Sequence, residues 1–316
     1  MVSPPAEAVR PGGRGGRPSP AQSLSPRRRK FRWQPAWLFV LPSLAIILVF
    51  IIYPITQSFW YSLHDWKIGA DEQLFTGFDN YARMLKDELF WNALRVTVIF
   101  SVVSVAIQMV LGYAAASALL RDSLLTRLVR SIFFFPTIVS LATIGLVWRF
   151  LLDPNIGLVG GISKALTGEA VAWLQEPTLA LSTVIFVSVW KNVGFTMIIL
   201  LAGLKGVPTH LYEAARLDGA TGFQLTRYVT LPSIRPTLLF TTMITTINSL
   251  QVFDLVYVMT NSGPLFATDT LVTMMFREGF TNFDIGYASA IAWVIFLIIL
   301  SLSALQLRLF RYRDED

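Results

Sequence analysis

Residues 212–236 read YEAARLDGATGFQLTRYVTLPSIRP, a polar string set between two long apolar blocks. Just upstream, Pro208 and Thr209 open a helix by the N-terminal preferences for proline and a capping hydroxyl. Leu211, Ala214, Ala215 and Asp218 then share one helical face. Gly219 supplies the left-handed conformation that ends this helix, and Thr221 caps a second short one running to Leu231 and Pro232. The expected product is a helix-turn-helix elbow. Small Ala214 and Ala215 admit close approach of another surface, while Glu213 and Asp218 offer carboxylates to basic groups, so the elbow reads as a docking surface. Ordinary loop solvation explains either acid alone, but not the order of the whole string.

The blocks around the elbow decide the fold class. Of 316 residues, 54% are hydrophobic and 15% charged, against about a quarter charged in an ordinary soluble domain. A bilayer core about 30 Å thick needs roughly 20 apolar helical residues. Six segments qualify: 37–59, 92–120, 129–152, 178–204, 236–260 and 285–307. The expectation is an all-α integral membrane protein with six transmembrane helices. Residues 1–34 form a disordered basic tail, 35–310 the six-helix domain with its elbow at about 208–232, and 311–316 a short C-terminal tail.

Lys and Arg sort by loop. Eighteen fall in the N-terminal tail, the 121–130 loop, the 205–235 loop and the C-terminus, whereas Lys67, Arg83, Lys86, Lys164 and Arg277 occupy the alternate loops. The positive-inside rule then puts both termini in the cytoplasm. The run Arg27, Arg28, Arg29, Lys30 serves as a topology determinant, with contact to anionic lipid as its other use. The first span lies too far into the chain for a cleaved signal peptide and is expected to remain as an anchor. Pro42, Pro54 and Pro136 each remove a helix hydrogen bond, and bends are expected there.

Several function classes drop out. No cysteine is present and the two histidines lie far apart, so no metal site is expected. The net charge of +6 is spread over tail and loops rather than one aromatic-interleaved face, so nucleic acid is not expected as a partner. There is no Gly-Lys-Ser/Thr loop to cradle phosphates and no G-x-S-x-G elbow for a serine nucleophile, so neither an ATPase nor a hydrolase is expected.

The order Glu-Ala-Ala, three residues, Gly, nine residues, then aliphatic-x-Leu-Pro resembles the EAA loop of binding-protein-dependent ABC importer permeases. The matching residues are Glu213, Ala214, Ala215, Gly219, Val229, Leu231 and Pro232, with Asp218 and Ala220 completing the Asp-Gly-Ala of the carbohydrate-uptake branch. Thr226 departs from the Phe common three residues before the aliphatic. Downstream, VFDLVYVMTNSGPLFATDT (252–270) is similar to the sugar-permease pattern, with Ser262 in place of the first Gly of a Gly-Gly-Pro turn, and FDIGYASAIAW (283–293) is similar as well. The likeness spans about residues 36–310. It implies a type I ABC importer permease in a bacterial or archaeal plasma membrane. It further implies a homologous second permease, two ATP-binding cassette subunits that carry ATP and Mg, and an extracytoplasmic solute-binding protein. No cofactor is implied on this chain itself. Glu213, Ala214, Ala215, Asp218 and Gly219 would then couple ATP hydrolysis to alternating access. A secondary transporter or a purely structural membrane subunit are the rival readings, and a fixed docking elbow argues against the first.

An ionisable group at mid-bilayer needs a partner or a wet cavity, and Asp254 and Lys191 are the two such groups, either of which has the other as a candidate partner. Asn248, Gln251 and Asp254 recur every three residues and would share one wall of the fifth span. Trp190, Asn192 and Gly194 cluster on the fourth. Sugars are held by hydroxyl hydrogen bonds and aromatic stacking, so Trp190, Asn192, Gly194, Asn248, Gln251, Phe253 and Asp254 are the substrate-pathway candidates. Interhelical hydrogen bonding is the alternative use of the same amides.

Overall fold

In hydrocarbon every backbone N–H and C=O must find its partner inside its own segment, which favours helices throughout. The computed structural model describes residues 36–70 and 72–311, and helices dominate among them. The expected basic tail and the last five residues lie outside this range. Two units divide the chain, residues 1–50 and 51–316.

In the first unit, α1 (Ala36–Ile47) contains Pro42 and leads into a π-helical turn, Leu48–Ile52. The second unit takes over within that turn and continues as α2 (Tyr53–Ser62), where Pro54 cannot donate to the preceding turn. A small hairpin follows, β1 (His64–Asp65) antiparallel to β2 (Leu74–Phe75). Asn80, on α3 (Asp79–Lys86), secures it by donating to the carbonyls of Ser62 and His64 at 3.0 and 2.9 Å.

The next helices form the body: α4 (Glu88–Ala118), α5 (Leu124–Ile138), α6 (Leu141–Leu151), α7 (Leu158–Thr167) and α8 (Pro177–Lys205). The chain then runs through α9 (Thr209–Leu217), α10 (Gly222–Leu225), a π-turn at Thr226–Thr230 and α11 (Leu231–Ser233). It ends with α12 (Arg235–Leu250), α13 (Asp254–Met259), α14 (Leu271–Phe276), a π-turn at Arg277–Thr281 and α15 (Ile285–Arg311).

Among the described residues, four helical runs are long and apolar enough to cross a membrane: Val40–Ser62, Glu88–Ala118, Pro177–Lys205 and Ile285–Leu309. These match four of the six expected segments within a few residues. The third expected segment is instead a pair, α5 and α6, bent by 98°. Its break falls three residues after Pro136, at Val139, whose extended backbone (φ −75°, ψ 141°) ends α5. The fifth expected segment stops at Leu250 after 16 helical residues, about 24 Å at 1.5 Å per residue.

α8 is the most buried of the spanning helices, and small residues set its approach to its neighbours. A Cβ on Gly112 of α4 would press on the Thr196 side chain, and one on Gly203 would strike Thr237 of α12. Val184, Val187, Leu255, Val256 and Met259 pack with Phe100 in one apolar cluster, and Met197, Leu200 and Ile234 with Ala116 in another. Apolar side chains such as Val102 and Val110 of α4 and Leu300 of α15 remain exposed along these runs, as a lipid-facing surface requires.

At one end of the body Asp122 ties the α4–α5 turn to the last residue of α8. It accepts from Arg130 at 2.9 Å and Lys205 at 3.2 Å. These two hydrogen bonds hold its carboxyl below the usual carboxylate range. The sign follows: the tie contributes above the unfolded pKa and is lost as pH falls through the folded one.

Candidate functional site

The break after α12 creates the site. Gln251 caps that helix, Phe253 takes φ −133° and ψ −65°, and the helix resumes at Asp254. No proline or glycine forces this. A tertiary bond holds the freed backbone instead: Thr270 Oγ1 donates to the Val252 carbonyl at 3.2 Å, and next to Thr270 the Leu271 N–H is itself anchored on Thr97 Oγ1 of α4 at 2.9 Å. Behind them Asp269, with 1% of its side chain exposed, accepts from Arg277 and Thr273 at 2.8 Å each.

Beside the break lies a cavity of about 330 Å³ whose lining includes Asn192, Asn248, Gln251, Phe253 and Asp254. Five of the seven expected pathway residues thus meet in one place. Asn248, Gln251 and Asp254 do so by flanking a break, not by sharing the wall of one helix as the spacing suggested. Phe253 stacks on Tyr257, with ring centroids 5.2 Å apart, and also meets Phe276 at 4.9 Å. Asn192 donates to the Ser188 carbonyl at 2.9 Å.

The other two expected residues lie elsewhere. Trp190 is 40% exposed and meets Trp148 edge-on at 5.5 Å. Gly194 faces α5, where a Cβ would collide with the backbone of Phe133, so it serves helix packing. Lys191 is not paired with Asp254; its Nζ donates to the Thr137 carbonyl at 3.3 Å, and Thr137 Oγ1 returns a bond to the Lys191 carbonyl at 3.1 Å.

The cavity also recruits Phe100 and Gln108 from α4, Ser188 and Phe195 from α8, and Thr245 and Ser249 from α12. The signal for α4 was present in the chain as a stripe of small and polar residues, Thr97, Ser101, Ser104, Gln108 and Gly112, at helical spacing, all buried.

The elbow takes its expected shape. α9 ends at Leu217, and Gly219, two residues on, takes φ +81°. Ala220 N–H bonds to the Ala215 carbonyl at 2.9 Å and Gly219 N–H to the Arg216 carbonyl at 3.0 Å, the two bonds of a Schellman cap. Thr221 and Gln224 form a capping box, and Tyr212 Oη meets Thr230 Oγ1 at 3.1 Å to join the two arms. One detail differs: Pro208 is the N-cap and Thr209 lies inside the helix, so no hydroxyl caps this end. Glu213, Ala214, Asp218 and Gly219 are exposed, as are Leu217, Phe223 and Tyr228, at 89%, 77% and 70%. Ala215 is half-buried. Ser262, in place of the family's Gly, adopts φ +67°, the conformation in which a glycine is unstrained.

A multi-pass helical protein with a polar cavity at a broken helix and a projecting elbow of exposed apolar and acidic residues has the makings of a membrane transport subunit. Residues 108–314 match the family of binding-protein-dependent transport system inner membrane components, and the chain belongs to that family. It is 36% identical over 280 residues to the trehalose/maltose transport system permease protein MalF of Thermococcus litoralis, covering 88% of this chain and 94% of that protein. It is 35% identical over 277 residues to the lactose transport system permease protein LacF of Rhizobium radiobacter, covering 85% and 92%. Its fold superposes with a TM-score of 0.76 on a bacterial ABC transporter chain involved in import of the acidic polysaccharide alginate, at 24% identity over 88% of this chain and 95% of that one.

Proposed function

We propose that this chain is the transmembrane permease subunit of an ATP-driven, binding-protein-dependent sugar importer and forms half of its translocation pathway. The bent pair α5–α6 and the broken pair α12–α13 each count as one crossing, which makes six. The distribution of Lys and Arg places both termini in the cytoplasm of a bacterial or archaeal plasma membrane. The elbow then lies on the cytoplasmic side, where Glu213, Ala214, Ala215, Asp218 and Gly219 dock on an ATP-binding cassette subunit. ATP and Mg bind there, not on this chain. A homologous second permease, a second cassette subunit and an extracytoplasmic binding protein complete the assembly.

The observation that carries this reading is the cavity. The side chains of Asn248, Gln251 and Asp254 line it without a hydrogen bond to another described residue, beside the aromatic Phe253, and a sugar needs that combination of hydrogen-bonding groups and a flat apolar face. The lining contains Asp254 and, among the described residues, no Lys or Arg, which suits an uncharged sugar. The relatives named for trehalose/maltose and lactose support the same class. Asn248→Ala and Gln251→Ala are each expected to lower uptake of the cognate sugar about three- to tenfold, the worth of one hydrogen bond, with the complex still assembled. Wild-type uptake, or loss only through disassembly, would identify these amides as interhelical bonding groups instead.

A further inference from the structure

Gln108, on α4, is only 4% exposed and lines the cavity with Asn192, Asn248 and Gln251, yet its carboxamide makes no hydrogen bond among the described residues. A buried amide offers two donors and two acceptor lone pairs, and leaving them unmet is destabilising. Polar groups placed inside membrane helices at such cost mark solute pathways. Of the hydroxyls around it, Thr245 donates to the Thr241 carbonyl at 2.8 Å and Ser249 to the Thr246 carbonyl at 2.9 Å, while Ser188 of the cavity lining, and Ser104 one turn earlier on α4, make no bond to it. Among the described residues Gln108 therefore has no side-chain hydrogen-bond partner, and it faces the cavity proposed above as the solute pathway.

We propose that Gln108 contacts the transported solute directly and discriminates among solutes by their hydroxyl pattern. Its carboxamide can donate to one hydroxyl oxygen and accept from the neighbouring hydroxyl of the same ring, a two-point contact that a ring lacking either hydroxyl does not complete. Being neutral, it asks for no charged group on the solute. The proposal rests on the reading of this cavity as the solute pathway.

The physical signature is a split between stability and binding. Methionine has the length and flexibility of glutamine without its amide, so Gln108→Met removes an unmet polar group and keeps the volume. The thermal midpoint of the purified permease–ATPase complex is expected to stay level or rise. Affinity of that complex for whichever of trehalose, maltose and lactose it binds, by equilibrium dialysis without binding protein, is expected to fall about three- to tenfold. Discrimination against deoxy analogues lacking one hydroxyl is expected to narrow with it. Unchanged affinity and unchanged discrimination overturn the proposal. So does a drop in thermal midpoint accompanied by loss of the second permease, which assigns Gln108 to packing or to the subunit interface. Failure of both Gln108→Met and Gln108→Leu to assemble overturns it in the same way. If the wild-type complex binds no sugar at all, the sugar-importer reading fails, and the same comparison is made with whichever solute stimulates its ATP hydrolysis.

Discussion

Gly219→Pro is expected to lower substrate-stimulated ATP hydrolysis and sugar uptake together, by about tenfold or more, in protein that still inserts and still receives its binding protein. Gly219 has φ +81°, whereas proline is fixed near −65° and has no N–H. The substitution removes the bond to the Arg216 carbonyl and breaks the left-handed turn that sets the angle between α9 and α10. A cost of about 3 kcal/mol, confined to the elbow, exceeds the 1.4 kcal/mol that corresponds to a tenfold change in docking. Gly219→Ala should be milder, since the space around Gly219 is open and only the backbone penalty of about 1–2 kcal/mol remains. Glu213→Lys should act through charge instead, turning a charge-assisted contact with a basic groove into repulsion. ATPase activity in nanodiscs with and without binding protein and sugar, beside uptake in liposomes, reads the effect. Wild-type stimulation in both Gly219→Pro and Glu213→Lys would remove the coupling role from this loop.

The largest loss of stability is expected from Arg277→Met. Asp269 has 1% of its side chain exposed and is held by Arg277 at 2.8 Å. Removing the cation strands a carboxylate in a place water does not reach, at a cost of about 3–5 kcal/mol. For a chain of this size that is a fall in thermal midpoint of roughly 10 °C. The double variant Arg277→Met, Asp269→Asn should recover much of the loss, because a neutral amide needs no counter-charge. Thr273 still donates to that position. Scanning the purified complex for thermal unfolding decides it, and a single variant within a degree or two of wild type would show that the pair does not hold the loop behind the helix break.

Much of this was legible in the chain, for reasons that also explain the misses. Residues 178–204 and 285–307 are predominantly apolar and hold no proline, and the structure makes long helices of both. The elbow was readable because its caps are local: a glycine for the left-handed turn and a Thr-x-x-Gln box need no distant residue. The break at Gln251 was not, because residues 249–253 hold neither Gly nor Pro. It is stabilised by Thr270 and Thr97, which are close only in space. Trp190 and Gly194 were misplaced because nearness in sequence is not nearness on a helix. At 100° per residue, Ser188, Asn192 and Phe195 turn one way, to the cavity, while Trp190 lies on the far side. Gln108 was overlooked because its immediate sequence neighbours are apolar, and its polar companions on the same helical face, Ser104 and Ser101, stand four and seven residues away.

If this chain forms half of a solute pathway as proposed, it is expected to work only beside a homologous second permease, since it carries a single docking elbow and an importer with two cassette subunits needs two. The direct measurement is sugar uptake into liposomes containing this chain, its ATPase subunits and binding protein, with and without the second permease. ATP-dependent uptake is expected only when both permeases are present. Full binding-protein-stimulated uptake by this chain alone, as a homodimer on the ATPase subunits, would contradict it.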